Sequence, residues 1–452
     1  MQTIGHYQSR FEHLDAARRA AGAPEWVSEV RRQAIARFAA LGFPGPKHEE
    51  WRATSVASIA AVPFEPDRPV PALDEASFAR LLPSSLRELA GPRLVFVNGV
   101  LDARLSSGAQ GGLSGGIEVL GLASMLERSP GRLQPLLAAA GPELDQPFAA
   151  LNAAFFRDGA FVSIPEGVSF DQPVQLVFVS ASTEDGRPAL STPRTLVQMG
   201  EGSSARLVET YLGGDASTLT DAVTEIHLGA GASLEHYRLE RESTRSLHLG
   251  ASRIAQARHS RYRSFSVAEG GELARHELQV RLAGEGAACV LDGLSLACGR
   301  QLIDHHTFVD HASARTSSAQ LYKGILDGQA RAVFQGRVLV RPGAQKTDAR
   351  QANRNLLLSA EALANARPQL EIHADDVRCT HGATVGQLDR EALFYLRSRG
   401  IGAPEARAML TEAFAGEVLQ RMELAQVRQA LKAALHEKLL GTGTHPEEGA
   451  RA

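Results

Sequence analysis

The densest cluster of reactive side chains is the run Leu370-Glu-Ile-His-Ala-Asp-Asp-Val-Arg-Cys-Thr-His-Gly382. In an extended strand successive side chains alternate between faces. Leu370, Ile372 and Ala374 then share an inner face, and Glu371, His373 and Asp375 share the outer one. The doubled Asp375-Asp376 interrupts that alternation and predicts a bend. Beyond it Cys379 and His381 stand two apart on one side of the chain, with roughly 7 Å between their Cα atoms. A thiolate and an imidazole are the donors expected for zinc or iron–sulfur species. Two ligands do not complete a tetrahedral site, and Cys289 and Cys298 are not spaced as the second pair of a structural zinc motif. Spacing alone favours a buried cysteine beside a hydrogen-bonded histidine over a metal-proximal pair.

Three other patterns invite chemistry and offer less. Asp304-His305-His306 with Asp310-His311 is His-rich enough for a metal, but alternating polar residues on an exposed strand face explain it better. Asp375 and Asp376 could be the acid–base pair of a polysaccharide-cleaving β-helix. Adjacent strand residues point to opposite faces, so only the bend could bring them together. The turns Gly200-Glu-Gly, Gly229-Ala-Gly and Gly284-Glu-Gly resemble phosphate loops in composition. A phosphate cradle needs a helix N-terminus after the glycines, and strands follow here instead. No residues identify an oxyanion site for nucleophilic catalysis.

The elements that must carry these residues fall into three textures. Residues 1–90 read as a helical region, with apolar spacing at Ile4, Tyr7, Phe11 and Leu14, then at Val27, Val30, Ala34, Phe38 and Leu41. Pro63 to Pro71 reads as a linker. Residues 91–154 form a mixed connecting segment, with a flexible Gly-rich loop over 107–116. From 155 to 385, short strand-like runs such as Val174–Val179 and Val223–Leu228 alternate with Gly turns at intervals too irregular to prove a repeat. That texture, with few aromatics, predicts a mainly β chain whose core is a β-helix, a large β-sandwich being the structural alternative. Residues 386–440 return to helix: Asp389 is placed as an N-cap, Gly400 as a stop, and Met409, Leu410, Ala413, Phe414 and Val418 as an apolar stripe. Residues 441–452 read as a frayed tail.

Composition narrows the function classes. Lys and Arg total 48 against 51 Asp and Glu in 452 residues, so no basic excess exists to neutralise a run of phosphates, and nucleic acid is not an expected partner. Three cysteines fit a reduced, cytoplasmic setting better than a disulfide scaffold. The first ten residues lack an apolar signal stretch, and no run approaches 18 apolar residues; export by that route and a membrane span are not expected.

Longer motifs then become specific. Tyr322-Lys-Gly-Ile-Leu-Asp, Gln345-Lys-Thr-Asp-Ala349, Pro368-Gln-Leu-Glu-Ile372 and His373-Ala-Asp-Asp-Val-Arg-Cys-Thr-His-Gly-Ala-Thr-Val-Gly386, leading to Leu393-Phe-Tyr-Leu-Arg-Ser-Arg-Gly400, strongly resemble the SufB/SufD family of iron–sulfur cluster assembly proteins. The match is strongest over about 320–402 and thin at the N-terminus, where Lys47-His-Glu-Glu-Trp-Arg52 carries it. Cys379-Thr-His-Gly and Phe394-Tyr-Leu-Arg-Ser-Arg are similar to the SufD branch. Near Gln351-Ala-Asn-Arg-Asn355, where the SufB branch would carry its scaffold cysteine, this chain has none. The resemblance implies a right-handed parallel β-helix core with flanking helical segments, in a non-catalytic subunit of the SufBCD scaffold. It also implies SufB and the SufC ATPase as partners, SufC docking on the C-terminal helices; separately, the exposed strand edge of the C-terminal coil would pair with another chain, so a homodimer is expected in isolation. It puts His381, with Cys379 beside it, near a transient iron–sulfur cluster at the SufB interface rather than a stably bound cofactor. The helical surface offered to partners would include Leu393, Phe394, Tyr395, Arg397, Arg399, Met409 and Phe414.

Overall fold

The computed structural model describes residues 2–66, 72–108, 113–137 and 145–441. The Pro-rich linker and the Gly-rich loop lie partly outside the described residues, and the tail beyond Gly441 lies wholly outside them. The core is a parallel β-solenoid of about seven turns, flattened into two ten-stranded sheets. From Ser204 onward consecutive strands alternate between the sheets, and each pairs in parallel with the strand two positions away in sequence: Ser233–Arg241 with Arg261–Ala268, and Leu247–Gln256 with Leu273–Leu282. The strand Arg93–Val97 joins the same stack through Val174–Ser180, so the sheet takes in part of the connecting segment.

Strand patterning follows from the alternation. In Arg331–Val340 the residues Phe334, Val338 and Val340 point into the solenoid core and Ala332 packs in a smaller apolar cluster, while Gln335 and Arg337 point out. Parallel in-register stacking places like residues above one another, as in the ladder Phe96–Phe178–Tyr211, with ring centroids 5.1 and 5.0 Å apart. The repeat that irregular spacing concealed shows at one corner. There Gly202, Gly231, His259, Gly286, Arg315 and Lys346 all take positive φ. The amide of each donates to a carbonyl one coil onward, from Gly202 to Ala230 at one end and from Lys346 to Asp376 at the other. Three of the six are not glycine, so no glycine pattern could reveal the file. At Gly284 the constraint is proximity instead: a Cβ there would stand 2.0 Å from the backbone nitrogen of Arg258 in the preceding coil. The Gly-x-Gly motifs are therefore corner geometry.

Helices cover both outer faces. On one side Tyr7, Phe38, Trp51, Phe148 and Phe155 bury the outward leucines Leu219, Leu247, Leu249 and Leu273. Trp51, from the N-terminal motif, lies over the Arg275 guanidinium at 3.9 Å, and Arg275 pairs with Asp304 and Glu277 at 2.6 Å each. On the other side the helices Ala403–Leu419 and Ala425–Gly441 lay Val418, Leu419, Val427, Leu431 and Leu435 over Tyr237, Phe265, Leu294 and Leu321. The result is a helix–sheet–sheet–helix sandwich. Among the described residues, no helix is long and apolar enough to cross a membrane.

One expectation reverses. Asp304, His305, Asp310 and His311 are buried, not displayed on an open face. Asp304 does face outward, but the N-terminal layer covers it, with the Thr54 hydroxyl donating to it at 2.5 Å. His311 turns inward to the hydroxyls of Thr316 and Ser318 at 2.8 and 2.9 Å. A solenoid buries both faces of a strand once helices coat it, and alternation alone cannot reveal the coat.

Candidate functional site

The last coil consists of the strands Leu363–Ile372 and Arg378–Gly386, which end the two sheets. Each pairs on one side only among the described residues, with Arg331–Val340 and Asp348–Leu357 respectively, so two rows of backbone N–H and C=O groups face away from the core. The alternation expected for this run holds. Leu370 packs on the core and Ala374 is buried, while Glu371 and His373 stand outside; Ile372, in register with the buried Val340, is nonetheless exposed because no further coil covers it. There His373 Nε2 lies 3.0 Å from Glu371, and Arg337 holds the second carboxylate oxygen at 2.5 Å; these contacts keep the Glu371 carboxyl below its ordinary range. The bend falls over 373–377. Asp375 and Asp376 are both exposed on it, and Asp376 is ion-paired with Lys346, which leaves no converging acid–base pair.

Cys379 and His381 share the inward side of the final strand. Cys379 stands in register with Ala349 and His381 with Gln351, both buried one coil back. Cys379 is half-buried against the core, and that burial pushes its thiol up, away from the thiolate. His381 is exposed because no further coil closes over it. Below it, the Gln351 amide is buried with neither its nitrogen nor its oxygen bonded among the described residues. Cys379 and His381 have no third His, Cys, Asp or Glu in ligating range among the described residues. Cys289 is fully interior, its thiol pushed up to about 12 by burial, and Cys298 lies against Gln301, so neither joins them.

The chain leaves this coil into the helix Arg390–Ser398. The expected N-cap is in place, with the Asp389 carboxylate accepting from the amides of Glu391 and Ala392 at 2.8 and 3.4 Å. Gly400 ends the helix at φ 88°. Phe394 is 74% and Tyr395 57% exposed, with the Arg399 guanidinium 5.2 Å over the Tyr395 ring. Arg397 is exposed and Leu393 half-buried. Met409 projects from the following helix. Phe414 lies differently: it is half-buried against the solenoid, with the Lys323 ammonium 4.2 Å from its ring and donating to its backbone carbonyl at 2.8 Å. Lys323 also pairs with Glu417 at 2.6 Å, so Phe414 belongs to the seam between helix and sheet.

The large apolar side chains left exposed among the described residues are Leu363, Ile372, Val385, Phe394, Tyr395 and Met409. All six lie in the last coil or in the helices that follow it. A patch of that kind beside two unpaired strand edges has the character of a protein interface.

A second cluster escaped the sequence reading. Glu240, Glu242 and His248 meet inside the solenoid at the corner between Ser233–Arg241 and Leu247–Gln256. Burial raises both carboxyls above their ordinary range, and burial holds the imidazole neutral by lowering it to about 3. The available signal was the two-residue spacing of the glutamates with a histidine just past the turn. Charged residues in a strand ordinarily mark the outer face, and that expectation hid them.

Residues 178–414 match the family model described as SUF system FeS cluster assembly, SufBD core domain, and residues 1–176 match the SufBD protein N-terminal region. The chain is 35% identical over 414 residues to an iron–sulfur cluster assembly SufBD family protein of Synechocystis, covering 89% of each chain. It is 29% identical over 420 residues to the iron–sulfur cluster assembly protein SufD of Escherichia coli, covering 92% of this chain and 93% of that one. With SufD of Bacillus subtilis it shares 28% identity over 294 residues, 64% of this chain and 66% of the relative. With its parallel solenoid and helical flanks, and with the two family models matched over residues 1–176 and 178–414, the chain belongs to the SufBD family of iron–sulfur cluster assembly proteins.

Proposed function

We propose that this chain is the SufD-type subunit of a SufBCD scaffold, pairing with SufB through the open last coil and docking the SufC ATPase through its C-terminal helices. The observation that carries the reading is one coincidence. The unpaired strand edges, the six exposed apolar side chains and the Cys379/His381 pair all lie in the last coil or in the helices that follow it. Edge-to-edge pairing with a second solenoid would continue both sheets, and at that seam His381 would face residues of the partner. A nascent cluster held there would be cargo, completed by ligands from SufB, since Cys379 and His381 supply two donors only. His381 would act as a neutral imidazole ligand or proton acceptor, with no chemistry catalysed by this chain alone. The names of the Escherichia coli and Bacillus subtilis relatives support the SufD branch. Cys379-Thr-His381 and the lack of a cysteine over 351–355 support it independently. Without SufB, the same edges would favour a homodimer. The setting is the cytoplasm.

The test is co-expression with the organism's own SufB and SufC, followed by pull-down and native mass. An assembly of one copy of this chain, one SufB and two SufC supports the reading; failure to capture either partner overturns it. His381→Ala within that assembly should leave its mass unchanged while cluster yield falls by an order of magnitude or more. Wild-type yield would remove His381 from the site.

A further inference from the structure

The Glu240, Glu242 and His248 cluster stands apart from the partner-facing end and has its own logic. One ligand atom from each residue can be chosen so that all lie within 4.8 Å of one another, and all three side chains are shut inside the solenoid. The donor set is two carboxylates and one imidazole, with no sulfur. That combination suits intermediate first-row divalent ions such as iron(II) and manganese(II) better than a soft thiophilic ion.

The surroundings orient the cluster as ligands are usually oriented. The Thr220 hydroxyl donates to Glu242 Oε1 at 2.6 Å and lies 2.7 Å from the Ser180 hydroxyl, an outer layer that fixes the carboxylate. Glu242 Oε2 faces His248 Nδ1 at 2.6 Å. Glu240 is the odd member. Among the described residues its Oε1 has only a long bond of 3.4 Å from the Glu242 amide, and its Oε2 is buried without a hydrogen-bond partner. A carboxylate oxygen with no donor, facing a second carboxylate, is an arrangement that folding alone does not favour.

We propose that Glu240, Glu242 and His248 form a binding site for a divalent ion of the iron(II)/manganese(II) class inside the solenoid corner. An ion about 2.1 Å from each donor would draw the three ligand atoms closer together and supply the charge that Glu240 lacks. Arg238, whose guanidinium contacts His248 Nε2 and lies 4.8 Å over the Tyr211 ring, is the competing cation. It donates to Nε2, so Nδ1 carries the imidazole proton. If the ion takes Nδ1, that proton moves to Nε2; if the ion takes Nε2, the proton stays. Either way Arg238 must release the ring. The route in is the corner itself, whose tip residues Thr244 and Arg245 are exposed.

The experiment uses the full chain, stripped with chelator and titrated with manganese(II), reading the loss of the free-ion signal by electron paramagnetic resonance, with anaerobic iron(II) as competitor. The expected result is one saturable ion per chain, displaced by iron(II), together with a rise in the unfolding temperature. Glu240→Gln keeps the shape and removes the repulsion between carboxylates. It should fold at least as stably as the wild type without metal, yet lose saturable binding and the thermal shift. Arg238→Gln should bind tighter than the wild type, and His381→Ala should bind normally. Absence of saturable binding overturns the proposal. So does stoichiometric binding that survives Glu240→Gln or is lost with His381→Ala, either of which would put the ion elsewhere. Association with SufB and SufC is read separately, so failure of one reading leaves the other intact.

Discussion

At the scale of single residues, the solenoid interior is not a plain apolar core. His305 is shut inside it, 5.2 Å from the Tyr322 ring, with neither ring nitrogen hydrogen-bonded among the described residues. Burial first, and the Arg238 charge second, lower His305 from 6.5 to about 4. The unfolded chain takes up a proton near 6.5 while the native chain does not, so this residue's contribution to stability falls as pH drops from about 6.5 to about 4. Below that range the loss levels off, at a size on the order of 3 kcal/mol. His305→Leu removes the term and leaves no donor or acceptor behind. The stability of the variant relative to wild type should therefore rise on acidification through that window. Urea denaturation of both proteins at pH 7.5 and pH 4.5 checks it, and a pH-independent difference would mean that His305 is not held neutral. Residue identity alone could not foretell this, because His305 in a strand reads equally well inside or out.

At the scale of elements, the corners set the pitch of the coil. Gly284→Ala would drive its Cβ into the Arg258 backbone, where no flexible side chain can yield, and should cost on the order of 3 kcal/mol. Gly343, whose Cβ would meet nothing within 4 Å, is the control and should tolerate alanine to within about 1 kcal/mol. Denaturation midpoints of the two variants decide whether close approach or glycine content is what matters. The helical stop and cap at Asp389 and Gly400 were legible because caps are local hydrogen-bond chemistry. The inward turn of Phe414 was not legible. It lies on the same stripe as Met409, and only the docking of Lys323 onto its ring and carbonyl separates the two.

At the scale of the whole molecule, an aromatic and charged contact sits within the apolar seam that fastens the N-terminal layer to the solenoid. Trp51 covers Arg275, and Arg275 is matched to Asp304 and Glu277 inside that cover. Trp51→Ala should cost about 3–5 kcal/mol locally. It would leave Arg275 partly uncovered and loosen the helical layer before the solenoid. Limited proteolysis should then release N-terminal fragments while the parallel sheets stay intact by circular dichroism; simultaneous loss of both would show one cooperative unit. Helices cover both outer faces, and the open last coil is where the described solenoid ends without a cap, which is why the exposed apolar side chains gather there.

The sequence by itself determined whatever depends on nearest neighbours along the chain. That covers the strand period around Leu370 to Asp375, the bend at Asp375-Asp376, the helix cap at Asp389, and motifs long enough to mark the SufBD family. Only the tertiary structure decided what depends on which coil lies above which. Stacking in register turned His259, Arg315 and Lys346 into one corner file with three glycines. It buried Asp304 and His311 under helices and neighbouring coils, and it brought Glu240, Glu242 and His248 together across a turn. The physical reason is that side-chain alternation assigns a residue to a face, whereas burial and partners depend on what covers that face, and in a solenoid the cover comes from a coil or helix distant in sequence.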